Sequence, residues 1–299
     1  MNGQKRKAAV FIILGQSNAV GHGVPMREED RITEPLSHVF GLRRSDNQGF
    51  WIDRLYFSGY TSGGMNLGET QDHTYSVPNQ LARLWQDAID SGRYALPDLY
   101  IIQIAIGAQG VTVPYMWHPD REMRMKPGKL GEADISLFPF TCHVFSLLQK
   151  SFSAMGVDHE IIGLHWRGGE EDTGKRVEVL TEMLTPIYRR MFDTFFGQLG
   201  DPPTVLHRIA ARDRMFDMDE SGERFRSMEY INGVFDALAE QYPNVSVFDV
   251  RRAPQFIPDV RGNGIFIGDA VHFTPEVNRW VAEEILRDYV NGKCAEESR

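Results

Sequence analysis

The chain has 299 residues, of which 42% are hydrophobic and 24% are charged, and its formal net charge at pH 7 is −9. A globular protein of this composition buries a sizeable core. The acidic balance argues against a nucleic acid or an anionic membrane as the main partner, because either would favour a basic surface. No run approaches the roughly 18 apolar residues of a membrane span. We see no linker or internal repeat and expect one domain over residues 1–299.

Two features favour a cytoplasmic location. The chain has only two cysteines, Cys142 and Cys294, so it allows at most one disulfide bond. The basic start leads into an apolar stretch that is not followed by a small-residue cleavage site, and we therefore interpret that stretch as a strand and not as a signal peptide.

The first predicted element is the apolar run at residues 10–14, which leads into Gly15-Gln16-Ser17-Asn18. A short and fully apolar run is typical of a strand that is buried on both faces. The residues after such a strand lie at the carboxyl edge of the sheet, where open α/β folds bind ligands. Gly15 allows a sharp turn there. Ser17 is therefore a candidate nucleophile, although a glycine and a serine at a strand end more often form only a turn.

Strand-like and helix-like stretches then alternate along the chain. We predict further strands at residues 99–105, 160–166, 204–210 and 245–250, and helices at residues 78–91, 138–155, 176–196, 225–241 and from 275 onward. Pro186 should kink or split the third of these helices. Residues 23–74 show no regular pattern and form either an irregular cover or a wall of a binding cleft. The alternation predicts a three-layer α/β fold of the flavodoxin-like kind, with a mostly parallel five-stranded sheet.

The predicted strand at residues 99–105 ends in a turn that contains Gly107 and Gly110. A residue without a side chain lets a substrate oxygen approach the backbone closely, so either glycine is a candidate donor of an N–H group to an oxyanion. Beyond this turn, Tyr115 and Trp117 provide either a surface on which a sugar stacks or packing contacts.

Near the other end of the chain, Asp269 precedes His272 by three residues, immediately before the last predicted helix. This spacing allows both side chains to project from one turn. The carboxylate can then accept the imidazole Nδ1 proton while Nε2 faces a nucleophile. Thr274 suits the cap of the helix and Pro275 its first position. We therefore expect His272 to be held within reach of Ser17.

Three short blocks stand in order along the chain: Gly15-Gln16-Ser17-Asn18, Trp166-Arg167-Gly168-Gly169-Glu170-Glu171-Asp172 and Asp269-Ala270-Val271-His272. Together they resemble the sequence blocks of the SGNH (GDSL-like) hydrolases, and most of all the branch of sialate O-acetylesterases and family 6 carbohydrate esterases. The resemblance implies a serine esterase that removes O-acetyl groups from a carbohydrate such as acetylxylan or an acetylated sialic acid. It implies no metal and no cofactor.

The resemblance also implies a role for individual residues. Ser17 would be the nucleophile, His272 its general base and Asp269 the acid that orients the histidine. Some members assign that acid to a glutamate of the middle block, here Glu170. We prefer Asp269 because it is local to His272, and we expect Glu170 to have a structural role at the floor of the site. The N–H groups of Ser17 and Gly110 would hold the oxyanion.

One position departs from the family pattern. The middle block normally reads Trp-x-Gln-Gly-Glu-x-Asp, and Gly168 stands where the glutamine helps to hold the oxyanion. A glycine offers only its backbone N–H, and loss of one oxyanion donor costs roughly 100- to 1,000-fold in rate. Either Arg167 or Gln109 would supply a replacement donor, with Gln16 and Asn18 as further supporting residues. The alternative is a weak or inactive relative that still binds a carbohydrate.

Overall fold

We describe the fold from a computed structural model, which covers residues 6–43, 54–63, 65–69, 76–112, 116–123, 135–210, 222–257, 264–268 and 271–297. Within these residues, seven strands form one sheet: β1 (Arg6–Gly15), β2 (Val39–Leu42), β3 (Phe57–Gly59), β4 (Asp98–Ala105), β5 (Val157–Arg167), β6 (Thr204–His207) and β7 (Val245–Phe248). The strand order is β3-β2-β4-β1-β5-β6-β7. All neighbours are parallel except β2 and β3.

This sheet confirms the predicted mostly parallel α/β architecture, but the predicted number of five strands is wrong. The two additional strands, β2 and β3, lie within residues 23–74, where the sequence has no regular pattern. They have only four and three residues, and all three residues of β3 are half-exposed. Strands this short carry too few apolar positions for a period of two to be recognised, and ladder hydrogen bonds to a neighbouring strand define them instead.

The central strand β1 is buried from Ala8 to Gly15 and divides the hydrophobic core into two layers. Alternate residues of a strand point to opposite faces. Val10, Ile12 and Leu14 pack into one core, whereas Phe11 and Ile13 pack into the other. The uninterrupted apolar run at residues 10–14 is thus explained by burial on both faces.

Six helices cover the sheet within the described residues: α1 (Ser17–Val20), α2 (Val77–Asp90), α3 (Leu137–Ala154), α4 (Val177–Leu199), α5 (Glu223–Gln241) and α6 (Pro275–Glu297). The buried apolar side chains of α3, α4 and α5 belong to one core, and those of α2, with Val281 and Ala282 of α6, belong to the other. Val277 of α6 packs in a third, smaller cluster with Phe266 and Phe273. The three-layer prediction is therefore confirmed. In the part of the chain that the structure describes, none of the helices combines the length and the apolar character that crossing a membrane requires.

Helix α4 contains Pro186 and still runs as one helix from Val177 to Leu199, so the predicted split does not occur. A proline removes one backbone hydrogen bond from a helix. The buried side chains on both sides of it, including Leu184 and Tyr188, dock on the sheet and hold the two halves in one element.

The three central strands end at the same level of the sheet. Gly15 at the end of β1 pairs with Ala105 at the end of β4 and with Arg167 at the end of β5. The turn after each strand therefore opens at one edge, next to Ser17. The chain places β2, β3 and β4 on one side of β1 and β5, β6 and β7 on the other. Doubly wound folds bind ligands where the strand order changes side in this way.

Candidate active site

A sharp turn places Ser17 directly after the central strand. Gly15 has φ +142°, and a Cβ atom there would lie 1.9 Å from the Arg167 carbonyl oxygen, so only glycine fits. The next residue, Gln16, donates its N–H to the same carbonyl oxygen at 3.0 Å. Ser17 then begins the short helix α1, and its carbonyl accepts the N–H groups of Gly21 and His22 at 2.8 and 3.0 Å.

Five of the predicted site residues line one cleft of about 820 Å³ at the carboxyl edge of the sheet: Gln16, Ser17, Gly107, Glu170 and His272. Ser17 and His272 come from opposite ends of the chain. The structure therefore brings together the two side chains that the sequence analysis named as nucleophile and base. Asp269, which the same analysis named as the orienting acid, lies outside the described residues.

The loop that carries His272 is held by its own backbone. The His272 carbonyl accepts the Ile267 N–H at 2.8 Å, and the Thr274 N–H donates to the Ile265 carbonyl at 2.9 Å. The Thr274 hydroxyl oxygen accepts the Val277 N–H at 3.3 Å, as expected for a helix cap. His272 is thus fixed at the start of a docked helix.

Asn18 connects this loop to the serine turn. Its amide nitrogen donates to the Val271 carbonyl at 3.1 Å and to Glu170 Oε1 at 2.7 Å. Its amide oxygen accepts the Phe273 N–H at 3.3 Å. Asn18 therefore contacts the backbone on both sides of His272, and it links that loop to the middle block. The other Glu170 oxygen is buried and has no hydrogen-bond partner within the described residues.

The Gln16 side chain joins the serine turn to the middle block. Its amide oxygen faces the N–H groups of Gly169 and Glu171, at 3.4 Å from each. Both distances are long for hydrogen bonds, but they indicate that the amide oxygen of Gln16, and not its amide nitrogen, faces the middle block. The side chain also lines the cleft.

Gly110 and Gly168 are buried beside the cleft and do not belong to the described residues that line it. A Cβ atom on Gly110 would lie 2.5 Å from Asp172 Oδ1. A Cβ atom on Gly168 would lie 3.0 Å from the Trp166 ring, whose Nε1 donates to the Gly168 carbonyl at 3.1 Å. Both glycines therefore have packing reasons to lack a side chain.

Asp172 ties the middle block to the turn after β4. Its carboxylate accepts the N–H groups of Val111 and Thr112, each at 3.0 Å, and the Thr112 hydroxyl at 2.6 Å. Burial raises the pKa of the Asp172 carboxyl, although these hydrogen bonds act in the opposite direction. In the same turn Gly107 and Ala108 line the cleft, and Ala108 has φ +56°.

Neither proposed replacement for the missing glutamine belongs to the cleft lining among the described residues. Arg167 is 1% exposed, donates to Asn278 Oδ1 at 2.9 Å and lies over the Phe273 ring at 5.0 Å. Burial lowers the pKa of Arg167 to about 10, while the charge of Glu170 acts to raise it. The guanidinium thus braces the residue that follows His272. Gln109, the other proposed replacement, is half-exposed in the turn after β4.

Trp117 is a packing residue and not a surface for sugar stacking. It is fully buried, its Nε1 donates to the Gly15 carbonyl at 3.0 Å, and its ring meets Trp166 edge-on at 5.0 Å. Tyr115 lies outside the described residues.

The cleft contains a second histidine and carboxylate that the sequence analysis missed. His22 Nε2 donates to Glu69 Oε1, and the Gly107 N–H donates to Glu69 Oε2 at 2.8 Å. The hydrogen bond to Glu69 raises the pKa of His22. Burial acts to raise the pKa of Glu69, but the hydrogen bonds from His22 and Gly107 outweigh it and the pKa is lowered. Both shifts favour the charged pair.

Comparison with solved structures finds the same fold at low sequence identity. The protein NanS is 16% identical, with 96% of this chain and 98% of that chain covered and a TM-score of 0.59. A protein from Arabidopsis thaliana is 15% identical, with 95% and 99% covered and a TM-score of 0.57. The chain therefore shares the three-layer α/β fold of these two proteins. No family model and no curated protein sequence matches it.

The three sequence blocks explain which site residues the sequence revealed. Ser17, Glu170 and His272 stand inside blocks and were found by their neighbours in sequence, and all three line the cleft. His22 and Glu69 stand outside the blocks, and Glu69 lies in the region without regular pattern. The available signal was that His22 follows Ser17 closely in the sequence, and this spacing alone does not identify Glu69 as the partner of His22.

Proposed function

We propose that this protein is a serine esterase that removes an O-acetyl group from a carbohydrate through an acyl-enzyme. The observation that carries the proposal is the shared cleft of Ser17 and His272, with Asn18 bonded to the backbone on both sides of the histidine. Such a reaction requires a nucleophile, a base and contacts that hold the base in position.

In the proposed reaction His272 takes the Ser17 proton as Oγ attacks the ester carbonyl. The tetrahedral intermediate collapses, and His272 returns the proton to the leaving alcohol. Water, deprotonated by the same imidazole, then attacks the acetyl-serine and releases acetate. Asp269 remains our preferred acid for orienting His272. Glu170 is the alternative, supported by its hydrogen bond to Asn18.

The oxyanion needs donors from the serine turn and from the turn after β4. The Ser17 and Gly110 N–H groups remain our proposal. The Gly107 N–H is already bonded to Glu69, which counts against it, whereas Ala108 lines the cleft and joins the candidates. We assign the side-chain donor lost at Gly168 to the Gln16 amide nitrogen, because the Gln16 oxygen faces the middle block.

A carbohydrate ester as substrate is supported by the polar side chains in the cleft lining, which include carboxylates, cationic side chains and histidines. Such side chains can pair with sugar hydroxyl groups. The second candidate is a binding protein on the same fold that has lost its chemistry. One observation favours it, namely that Gly168 offers no side-chain donor.

The test is hydrolysis of p-nitrophenyl acetate by the wild type, by Ser17→Ala and by the matched control Ser146→Ala. Ser146 is an exposed residue of α3. We expect turnover by the wild type and the control, and a loss of at least about 1,000-fold in Ser17→Ala, because no other group forms the acyl-enzyme. Equal inactivity of all three folded proteins would contradict the esterase and favour the binding protein.

A further inference from the structure

The pair of His22 and Glu69 is built into the cleft without a part in the proposed acyl transfer. The backbone N–H of His22 donates to the Ser17 carbonyl, so His22 is held one helical turn after Ser17. Both Glu69 oxygens are engaged, one by His22 and one by the Gly107 N–H. The imidazole therefore has a fixed place beside the reacting groups.

The turn after β4 makes room for this imidazole. A Cβ atom on Gly107 would lie 2.4 Å from His22 Cε1 and 2.8 Å from its Nδ1. The ring thus packs directly on the glycine backbone, and a side chain at that position would displace it. The side chains of His22 and Glu69 are 37% and 25% exposed, so the pair is reachable from the cleft and partly withdrawn from water.

The position of His22 relative to His272 indicates which part of a substrate it meets. The two imidazole rings lie 6.1 Å apart between centroids, at an interplanar angle of 62°. His272 must protonate the leaving alcohol, so the alcohol oxygen lies within hydrogen-bond reach of that ring. A ring 6.1 Å away is within reach of atoms a few bonds further into the alcohol part.

The hydrogen bonds already made by His22 and Glu69 determine which kind of ligand atom the pair can bind. Glu69 occupies Nε2 of His22, and Nδ1 has no hydrogen bond to any residue that the structure describes, so this nitrogen can meet a ligand. The bond to Glu69 raises the pKa of His22 and so favours the doubly protonated ring, in which Nδ1 is a donor. A charge-assisted donor suits an oxygen acceptor.

We propose that His22 is a specificity-determining residue, whose Nδ1 donates a hydrogen bond to a hydroxyl oxygen on the alcohol part of the ester while Glu69 and Gly107 hold the ring in place. The inference rests on the proposed esterase function. It names the ligand as an ester whose alcohol part carries a hydroxyl group near the scissile bond.

The test compares two acetate esters that form the same acetyl-enzyme but differ in their alcohol. One is p-nitrophenyl acetate, whose leaving group has no hydroxyl neighbour, and the other is a mono-O-acetylated methyl xylopyranoside. The measured quantity is the ratio of kcat/KM for the sugar ester to kcat/KM for the nitrophenyl ester. We expect this ratio to fall about 10- to 100-fold in His22→Gln and in Glu69→Gln, the range for a lost charge-assisted hydrogen bond.

His38→Gln is the matched control, because His38 forms a comparable pair with Asp98 at 3.0 Å at the start of β4, the opposite end of the strand from Gly107. This control should keep the wild-type ratio. A ratio within about twofold of the wild type in both cleft variants, with Ser17→Ala inactive on both esters, would overturn the inference and leave the esterase standing. A wild type that hydrolyses neither ester would overturn the proposed function and this inference with it.

Discussion

At the scale of single residues, the arrangement of the site depends on Asn18. This side chain uses both ends of its amide, and its three contacts reach Glu170, Val271 and Phe273. It is 4% exposed, so water cannot easily replace the contacts that a substitution removes. We therefore propose that Asn18 is a positioning residue that acts through His272.

We expect Asn18→Ala to lower kcat/KM for p-nitrophenyl acetate by about 10- to 100-fold, because the loss of a buried hydrogen-bonding group costs about 1–3 kcal/mol and misplaces the base. Steady-state kinetics measure the effect. Asn244→Ala is the control for any general loss of stability. Asn244 lies directly before β7, and this substitution removes one hydrogen bond from its side chain to the Pro202 carbonyl. Activity within twofold of the wild type in Asn18→Ala would show that the loop holds His272 without the asparagine.

Residue identities at the site were predictable where neighbours in sequence define them. Ser17 follows a buried strand and a glycine, and Thr274 and Pro275 mark the start of a helix, so local patterns suffice. The contacts of Asn18 and the pairing of His22 with Glu69 join residues far apart in the chain. No local pattern encodes such contacts, and only the folded sheet brings the partners together.

At the scale of elements, two buried histidines join β5 to β6. His165 Nδ1 and His207 Nε2 lie 2.9 Å apart, and both residues are buried in the sheet. Burial, with the charge of Arg167, lowers the pKa of His165 to about 3. Burial also lowers the pKa of His207 well below its usual value, and the charges of His165 and Arg167 add to this effect. Both histidines are therefore neutral in the folded protein at pH values where they bind protons in the unfolded chain.

A histidine whose pKa is lower in the folded protein than in the unfolded chain makes the folded protein less stable as the pH falls below the unfolded pKa of about 6.5. Between pH 7.5 and pH 5 we expect His165 alone to lower the free energy of unfolding by about 2 kcal/mol, with a further loss from His207. Urea unfolding at the two pH values measures the difference.

His207→Gln, which keeps a hydrogen-bonding group but cannot be protonated, should reduce that pH dependence markedly. His143→Gln, a substitution of a half-buried histidine in α3, is the control for replacing a histidine outside this pair. An unchanged pH dependence in His207→Gln would mean that the buried pair does not determine the acid sensitivity of the fold.

Long helices were predicted well from the sequence, whereas short strands were not. The helices over α2, α3 and α5 begin and end within one or two residues of their predicted bounds, because their long amphipathic patterns are unambiguous. β2 and β3 were missed because they are too short for a pattern. The prediction for Pro186 was wrong about a split, since packing on the sheet outweighed the local effect of one proline.

At the scale of the whole molecule, the site exists only when both ends of the chain are in place. The bond from Phe273 to Asn18 spans 255 positions of sequence, and the middle block contributes from between them. Three central strands, β4, β1 and β5, supply the turns around Ser17. The order of the blocks along the chain predicted this assembly, but their order does not define the shape of the cleft.

This arrangement predicts that activity and core structure are lost together. Hydrolysis of p-nitrophenyl acetate and the fluorescence of the buried tryptophans, Trp85, Trp117 and Trp166, should fall at the same urea concentration, within about 0.3 M, as for a cooperative transition. Assays at low urea give the control for direct inhibition by the denaturant. Activity that disappears well before the fluorescence changes would mean that the His272 loop unfolds as a separate unit.

The rigid central strand also has a consequence for how such an enzyme would diverge. Ser17 stands two residues after a strand whose last eight residues are all buried, so nearly every change upstream of the nucleophile disturbs the core. His22, Glu69 and Lys175 lie instead on connecting segments around the cleft, where substitution is tolerated more readily. We therefore expect the residues of the cleft walls to vary more readily between related chains than the residues of the central strand that precede Ser17.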